Sequence, residues 1–463
     1  MKIFTVAAFR GGVFHGGESG GLAMSLSADY MRQRILKLVW PVVMEGFGVM
    51  LVGVVTTAMV GQFGAVSLSA VGLSTMVQAA SSIIFAAAGT GAAAIVAREA
   101  GAGNWEAVRS VAGQGVLLGL VLGTALGVIG FVAAPYLFLV TSADASVAHL
   151  AGELLRITFV TTPLFLAMAV ANNVLRAIGL TRLTFYLTAI NNVLAILLGY
   201  GLIFGVAGQP LGAYGAAWTA CLTQASGGLL AIGALAAVRQ IGLRWRHVFI
   251  IRRDYIARIV AISLPAGLEQ LAMQGGRIAF TFMLAGVGAT QFAAHQIALQ
   301  VESISFMPGF GFSVAAMALV GQHLGRGLPH RAVQYAALTN RIAALSMTMM
   351  GVMFFFFARP LTALFVNDPE VIYWGAQCVM IAAFEQPTIA ITYTLGGAMR
   401  GAGDTRWPMY VTTTGVWLVR LPLIYLFIVL WQYDVTAAWV ITALDFLVRS
   451  LILWRRFTST KWQ

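Results

Sequence analysis

The stretch Arg176-Ala-Ile-Gly-Leu-Thr-Arg182 returns 224 residues later as Arg400-Gly-Ala-Gly-Asp-Thr-Arg406, with the arginines, one glycine and the threonine in the same places. The same offset pairs further residues: Pro41 with Pro265, Glu45 with Glu269, Gly64 with Gly288, Ser81 with Ser305, Gly101 with Gly325, Gly103 with Gly327, Asp144 with Asp368, and Pro163 with Pro387. Apolar sequences match by chance at Ala, Leu and Val, but rarely at Pro, Glu, Asp and Arg. The chain is therefore a tandem duplication of one unit.

Composition determines the environment of this unit. Of the 463 residues, 59% are hydrophobic and only 10% are charged, whereas a soluble chain has about 25% charged residues. Such a chain has too few polar side chains to cover its core with a water-facing surface. Its length is therefore counted in membrane-spanning helices, each of which needs about 20 apolar residues.

The apolar stretches predict an all-α polytopic membrane protein, with twelve transmembrane helices in two pseudo-symmetric six-helix bundles. The predicted spans lie near 35–61, 68–97, 110–139, 147–178, 183–205, 211–238, 255–286, 291–324, 332–358, 370–399, 406–431 and 435–454. This reading divides the chain into an N-terminal tail (1–34), an N-terminal bundle (35–240), a basic linker (241–254) and a C-terminal bundle (255–457).

The basic residues predict the orientation. Of the 28 Lys and Arg residues, 24 fall in the two termini and the even-numbered loops, which together form what we call the basic side. Cytoplasmic loops retain positive charge, so we expect both termini in the cytoplasm and the protein in the plasma (inner) membrane. The net charge of +12 then indicates topology and contact with anionic lipid head groups, in preference to a nucleic-acid partner.

Six spans in each half make the two halves parallel repeats, because an even number of spans returns the chain to the same side. Parallel repeats of this kind are related by an axis along the membrane normal. Transporters built from them place the substrate site between the repeats and alternate its access. The duplication therefore predicts transport.

Two acidic residues deep inside predicted spans are repeat partners, Glu45 and Glu269. Each follows a proline by four residues, Pro41 or Pro265, which removes a helical hydrogen bond and weakens the first helix of its half. Since a carboxylate inside a membrane is costly and usually functional, we favour an ion- or substrate-binding role for this pair. The alternative is a structural glutamate tied to a neighbouring hydroxyl or backbone group.

Glu302 lies at a depth that permits a salt bridge with Arg277 on the preceding span, and both the structural and the functional interpretation remain open. Glu385 precedes Pro387 in the tenth span and corresponds by the offset to Thr161. Because it breaks the symmetry of the repeat, Glu385 is a candidate second protonation site.

Asp445 and Arg420 match in depth on the last two spans. For this pair we favour a structural ion pair, since two opposite charges at the same depth can neutralise each other away from water.

Enzymatic motifs are missing from the sequence. It contains no His-Glu-x-x-His motif and no phosphate-binding loop. Gly401-Ala-Gly-Asp404 resembles part of an intramembrane aspartyl protease motif, but a second aspartate is needed, and Asp434 falls on the opposite side. The two cysteines, Cys221 and Cys378, have no metal-ligand spacing. We expect neither an enzyme nor a resident cofactor.

Several short motifs, in this order, resemble the multidrug and toxic compound extrusion (MATE) family over residues 35 to 456. They are Pro41 followed by Met59-Val60-Gly61, Ala70-Val71-Gly72-Leu73, Gly101-Ala102-Gly103, Ala294-His295-Gln296-Ile297, and Met399-Arg400-Gly401-Ala402-Gly403-Asp404-Thr405. The resemblance implies two six-helix bundles facing a central cavity. It also implies export of organic cations or amphipathic drugs, driven by inward flow of protons or sodium ions.

Two positions depart from the pattern of the family. Thr56 stands where many members have an aspartate in the first helix, and Ile389 where some have an acid in the tenth. Coupling would then use other acids, with Glu45 and Glu269 the natural candidates, and Thr56 stays a candidate site residue. On this hypothesis, replacing Glu269 by Gln abolishes ion-driven efflux and leaves the protein folded.

Two rival functions are ranked lower. A flippase for a lipid-linked or amphiphilic substrate would need a basic groove for phosphate, for which only Arg277 and Arg420 are available. A membrane-embedded enzyme would need a paired catalytic constellation. We therefore expect a small cationic or amphipathic substrate and membrane lipid as partners, with no nucleic acid and no obligate protein partner.

Overall fold

The computed structural model describes residues 28–138, 144–206, 208–459 and 462, and these form helices without any β-strand. The first half contains eight helices, which we call the N-lobe: α1 (Ala28–Gly61), α2 (Ala65–Ala86), α3 (Ala88–Gly101), α4 (Trp105–Leu137), α5 (Ala145–Phe159), α6 (Thr162–Ala177), α7 (Thr181–Phe204) and α8 (Ala213–Ala237). A connector follows, which contains the short helix α9 (Trp245–Phe249).

The second half, the C-lobe, repeats the pattern. Its helices are α10 (Arg253–Leu284), α11 (Ala289–Gly325), α12 (Pro329–Ala363), α13 (Pro369–Gly401), α14 (Arg406–Thr414), α15 (Leu421–Ile424) and α16 (Val435–Thr458). Two π-helical segments, Gly415–Arg420 and Tyr425–Leu430, join α14 and α15 into one continuous helix.

Eleven helices of the described chain are long and apolar enough to cross a membrane, and the bent pair α5 and α6 makes a twelfth span. The fold predicted from the sequence, twelve spans in two halves, is confirmed.

The duplication is visible in the bounds of the helices. Three starting residues of the N-lobe and their C-lobe counterparts differ by the sequence offset of 224: Ala65 and Ala289, Trp105 and Pro329, Ala145 and Pro369. The helix caps repeat as well. The carboxylate of Asp144 accepts the backbone N–H of Ser146, and the carboxylate of Asp368 accepts that of Glu370. Such a cap satisfies an amide that the helix itself leaves without a partner.

Four local features differ from the sequence-based prediction. Helix α1 begins at Ala28, so 28–34 are helical, while 1–27 of the predicted tail lie outside the described residues. The connector spans 238–252 and includes α9. The second span is interrupted at Ala87.

The fourth feature is a bend of 56° between α5 and α6. Pro163, the second residue of α6, has no amide N–H to donate to the carbonyl of Phe159, so the helix is weakest there.

The lobes pack tightly where α3 and α11 cross at the basic side. A Cβ atom on Gly101 would lie 2.1 Å from the carbonyl oxygen of Gln322, and one on Gly325 would lie 1.9 Å from that of Arg98. These two contacts are related by the repeat offset. Each helix has a small-x-x-x-small pattern here, Ala97 with Gly101 and Gly321 with Gly325, which lets two backbones approach closely.

Polar contacts close the same end of the molecule. Gln322 of α11 accepts a hydrogen bond from Arg34 of α1 at 3.2 Å, and its amide donates to the carbonyl of Ala177 at 2.8 Å. Arg258 and Glu99 form a further ion pair between the lobes at 3.5 Å. The basic ends of both lobes are therefore held together.

Candidate functional site

Glu45 lies inside the N-lobe, where it joins three helices. Arg176 at the end of α6 donates a hydrogen bond to Glu45 Oε1 at 2.6 Å. Two hydroxyls of α7 also donate to this carboxylate, Thr188 at 2.9 Å and Thr184 at 3.4 Å. The carboxylate is buried but neutralised.

Glu269 has the same arrangement in the C-lobe. Arg400 of α13 donates to Glu269 Oε1 at 2.7 Å, and Thr412 of α14 donates to the same oxygen at 3.0 Å. These partners correspond to Arg176 and Thr188 by the offset of 224. We call the two arrangements the paired clamps.

The paired clamps favour the structural alternative for Glu45 and Glu269. Each connects the first, fourth and fifth spans of its own lobe through a charge pair, and removing a buried charge's partner is costly. These contacts suit a holding role, and the ion-binding role of Glu45 and Glu269 stays a prediction.

A hydroxyl group of the neighbouring helix replaces the hydrogen-bond donor that Pro41 lacks. Pro41 leaves the carbonyl of Lys37 without its helical donor, and the hydroxyl of Thr181 on α7 donates to that oxygen at 3.5 Å. In the C-lobe, the hydroxyl of Thr405 donates to the carbonyl of Ile262 at 2.8 Å.

Asp445 lies between two arginines in the C-lobe. Arg420 Nη2 is 2.8 Å from Asp445 Oδ2, as the sequence predicted, and Arg449 Nε donates to Asp445 Oδ1 at 2.7 Å. Arg449 is one turn after Asp445 on α16 and is buried. Arg449, one of the 24 basic residues assigned to the basic side from the sequence, therefore belongs to a buried network, because Asp445 compensates its charge.

Glu302 on α11 and Glu385 on α13 lie close enough for each carboxyl group to act electrostatically on the other. They are 4% and 1% exposed. Glu302 Oε1 and both carboxyl oxygens of Glu385 have no donor among the described residues. Two carboxylates this close and this dry cannot both stay ionised without a cation, so the pair is suited to hold a proton or a metal cation. We call it the glutamate pair.

Charged groups of the C-lobe surround the glutamate pair. Arg420 acts electrostatically on both glutamates, and Asp445 acts on Glu385. Tyr393 on α13 lies within the field of Glu302, Arg400 and Glu269. The pair is thus connected to the Asp445 network and to one of the paired clamps.

The equivalent place in the N-lobe is neutral. By the offset, Glu302 corresponds to Gln78 and Glu385 to Thr161. The amide of Gln78 donates to Gln224 Oε1 at 3.3 Å, and the hydroxyl of Thr161 donates to the same oxygen at 3.2 Å. The two lobes share a scaffold but differ in charge at this place.

Two further predicted site residues lie apart from the glutamate pair. Arg277 is exposed, and among the described residues no ion pair joins it to Glu302. The depth estimate could not reveal that Glu302 points toward α13 instead. Thr56 is partly buried on α1 of the other lobe.

The arginine partners in the paired clamps were not predicted from the sequence, although the repeat offset points to them. Arg176 and Arg400 match at the same offset as Glu45 and Glu269. Opposite charges that repeat together at one offset are a reason to expect a contact. No comparable signal marked Tyr393.

Comparison with known proteins agrees with the duplicated helices. The model of the MatE family matches residues 41–201 and again residues 265–426, which together cover more than half of the chain. The two matches begin 224 residues apart.

The chain belongs to the MatE family. Its members are membrane transporters, as the resemblance noted from the sequence implied.

Relatives match along nearly the whole MatE chain. A probable multidrug resistance protein NorM of Thermotoga maritima is 31% identical over 94% of this chain and 93% of its own length. The multidrug resistance protein PmpM of Pseudomonas aeruginosa is 26% identical over 85% of this chain and 83% of its own. A solved MATE transporter in an outward-facing conformation superimposes with a TM-score of 0.86, at 19% identity, covering 96% of this chain and all of that one.

Proposed function

We propose that this MatE protein exports organic cations or amphipathic drugs in exchange for protons or sodium ions, by alternating access between its lobes. The family match and the multidrug resistance relatives support the direction and the substrate class. The glutamate pair supports ion coupling and is the observation on which the proposal rests.

The chemistry of the glutamate pair suggests how coupling works. Because Glu302 and Glu385 cannot both be ionised in a dry site without a cation, the pair attracts either a small ion or a substrate cation. Binding of a proton or sodium ion cancels the negative charge of the pair and weakens the hold on the substrate. The ion biases the lobes toward one arrangement only as far as its affinity differs between the two.

The neutral N-lobe explains why one lobe suffices for coupling. Gln78 and Thr161 satisfy each other through Gln224 and take up no charge. An ion therefore acts on the C-lobe alone, and the N-lobe serves as the fixed partner of the movement. The proposal places the basic side in the cytoplasm, in accord with the distribution of Lys and Arg.

The flippase alternative receives no comparable support. Of the two arginines it would need, Arg420 is paired with Asp445, and Arg277 is exposed.

The test is efflux of a fluorescent organic cation from vesicles, with proton and sodium gradients imposed separately. We expect Glu302→Gln and Glu385→Gln each to reduce gradient-driven efflux to the level of protein-free vesicles. The charge that the ion must neutralise is then gone. Which gradient drives the wild-type protein identifies the coupling ion.

Glu370→Gln is the matched control, because Glu370 is an exposed acid on the same helix as Glu385. It should leave efflux unchanged. Undiminished gradient-driven efflux in both glutamate-pair variants would overturn the proposed coupling site.

A further inference from the structure

The connector between the lobes is fastened to the N-lobe at its midpoint. Gln114, a buried residue of α4, donates to the carbonyls of His247 at 2.8 Å and Ile250 at 2.9 Å. It also accepts the backbone N–H of Arg252 at 3.1 Å. Gly113 lets the connector approach, since a Cβ there would lie 2.2 Å from the carbonyl oxygen of His247. The connector thus has a defined position at the ends of α4, α8 and α10.

This fixed connector exposes large apolar side chains. Trp245 is 72% exposed, Phe249 63%, Ile250 60% and Ile251 65%. The rings of Trp245 and Phe249 stack one helical turn apart on α9, with centroids 6.2 Å apart. Four such side chains in seven residues form an apolar patch that water solvates poorly. Because the patch lies at the ends of membrane-spanning helices, its side chains can insert into the interface of the bilayer.

Beside the patch lies a basic cavity of about 420 Å³. Arginines from three parts of the fold line it: Arg109 of α4, Arg239 after α8, and Arg244 and Arg246 of the connector. Arg109 is held in place by a 2.6 Å hydrogen bond to the carbonyl of Ile241. None of the ion pairs found among the described residues uses any of these four arginines.

His247 reports the strength of this positive field. Its pKa is lowered by partial burial and by the charges of Arg246, Arg109, Arg244 and Arg252. The imidazole therefore stays neutral at a pH near 7, and the excess charge of the cavity comes from guanidinium groups. Several guanidinium groups converging without a carboxylate match the geometry of a phosphate group.

We propose that this cavity binds the phosphate head group of an anionic phospholipid, with Trp245, Phe249, Ile250 and Ile251 in the adjoining acyl region. The apolar patch beside the cavity favours a lipid over a soluble phosphate compound, because a soluble ligand would leave the patch in water. Bound there, one lipid touches α4, the end of α8 and the connector. It fastens the junction of the two lobes to the membrane surface.

Native mass spectrometry of the detergent-solubilised full chain tests this proposal, with phosphatidylglycerol and phosphatidylcholine as the lipids. We expect the wild-type protein to retain phosphatidylglycerol in preference. The double variant Arg244→Gln, Arg246→Gln should weaken phosphatidylglycerol binding by about tenfold or more, since each basic residue near an anionic head group contributes a severalfold factor. Both arginines are exposed, so the fold should persist, and the thermal unfolding temperature verifies this.

The matched control is Arg331→Gln, Arg341→Gln, which removes the same charge from the basic side at α12. It should change phosphatidylglycerol binding less than twofold. An equal loss in this control, or equal retention of the two lipids by the wild-type protein, would refute a specific site. Displacement of the lipid by millimolar inorganic phosphate would assign the cavity to a soluble anion instead. Should the double variant unfold, Arg239→Gln tests the same cavity from the end of α8.

Discussion

Glu269 and Glu302 are buried in neighbouring spans of one lobe, yet their partners have opposite charges. Glu269 meets an arginine, whereas Glu302 meets a second glutamate. A carboxylate with a fixed cationic partner has no need of a mobile ion. A carboxylate beside another carboxylate needs one. The charge of the neighbouring side chain, more than burial, therefore distinguishes a structural glutamate from one that binds and releases an ion.

A double substitution distinguishes these roles at Glu269. Glu269→Gln leaves the partly buried Arg400 with an unpaired charge, and we expect a loss of about 3 kcal/mol in the free energy of unfolding. Glu269→Met combined with Arg400→Met removes both charges and should recover most of that loss. Thermal unfolding in detergent measures both effects, with the exposed Glu370→Gln as control.

Efflux is then measured only on variants that fold. A Glu269→Gln protein with wild-type stability but no gradient-driven efflux would contradict the holding role and restore Glu269 as an ion-binding residue.

Residue roles were only partly predictable from the sequence. The offset of 224 was sufficient to find Glu45 and Glu269, and Glu385 was recognised because it broke the symmetry. Depth along a helix was sufficient for Arg420 with Asp445. Depth alone did not identify the partner of Glu302, since it does not fix the direction in which a side chain leaves its helix. Rotation about the helix axis decides that direction, and packing with α13 sets it.

At the scale of helices, the crossing of α3 and α11 determines whether the basic side can close. The two backbones are in contact at Gly101 and Gly325, where a side chain of any size would collide with a carbonyl oxygen. Closure therefore depends on the absence of two Cβ atoms. On the proposed alternating access, opening at the basic side would relieve the contact.

Gly325→Ala should shift the protein toward a state that is open at the basic side, a prediction that rests on the proposed alternating access. A cysteine at Ser263, which is buried and bonded to the carbonyl of Ala88 across the lobe boundary, reports the change. Its labelling by a membrane-impermeant thiol reagent from the basic side should rise severalfold.

Gly72→Ala is the control for the added methyl group, since this helical glycine has no atom within 4 Å of its Cβ position. It should leave the labelling rate as it was. If Gly325→Ala behaves in the same way, the crossing does not govern closure.

At the scale of the whole molecule, the apolar stretches were enough to predict the number of spans. The breaks inside spans were not predictable in this way. Ala87 and Pro163 interrupt the second and fourth spans, while Pro387, the counterpart of Pro163, lies within the uninterrupted helix α13. Hydropathy averages over a span and is blind to such local differences.

Labelling of single cysteines tests the proposed orientation of the whole chain. Gln240→Cys in the connector and Arg455→Cys near the end of α16 should react only when the cytoplasmic face is accessible. Gln209→Cys, in the loop before α8, should react from outside intact cells. All three positions are exposed, so access depends on sidedness. Reaction of Gln240→Cys and Arg455→Cys from opposite faces would contradict an even number of spans in the second half.

The crossing of α3 and α11 also bears on the ancestry of the chain. Ala97 and Gly321 are equivalent by the repeat, and they lie against each other: a Cβ on Gly321 would be 2.6 Å from that of Ala97. In a dimer of two identical halves, this residue would sit on the rotation axis and meet its own copy. A larger side chain at this position would then have faced a second copy of itself, so one substitution would have added volume on both sides of the contact. In a single fused polypeptide the two equivalent positions can change independently, so a larger side chain on one helix no longer appears on both. The two positions, Ala97 and Gly321, differ by one methyl group.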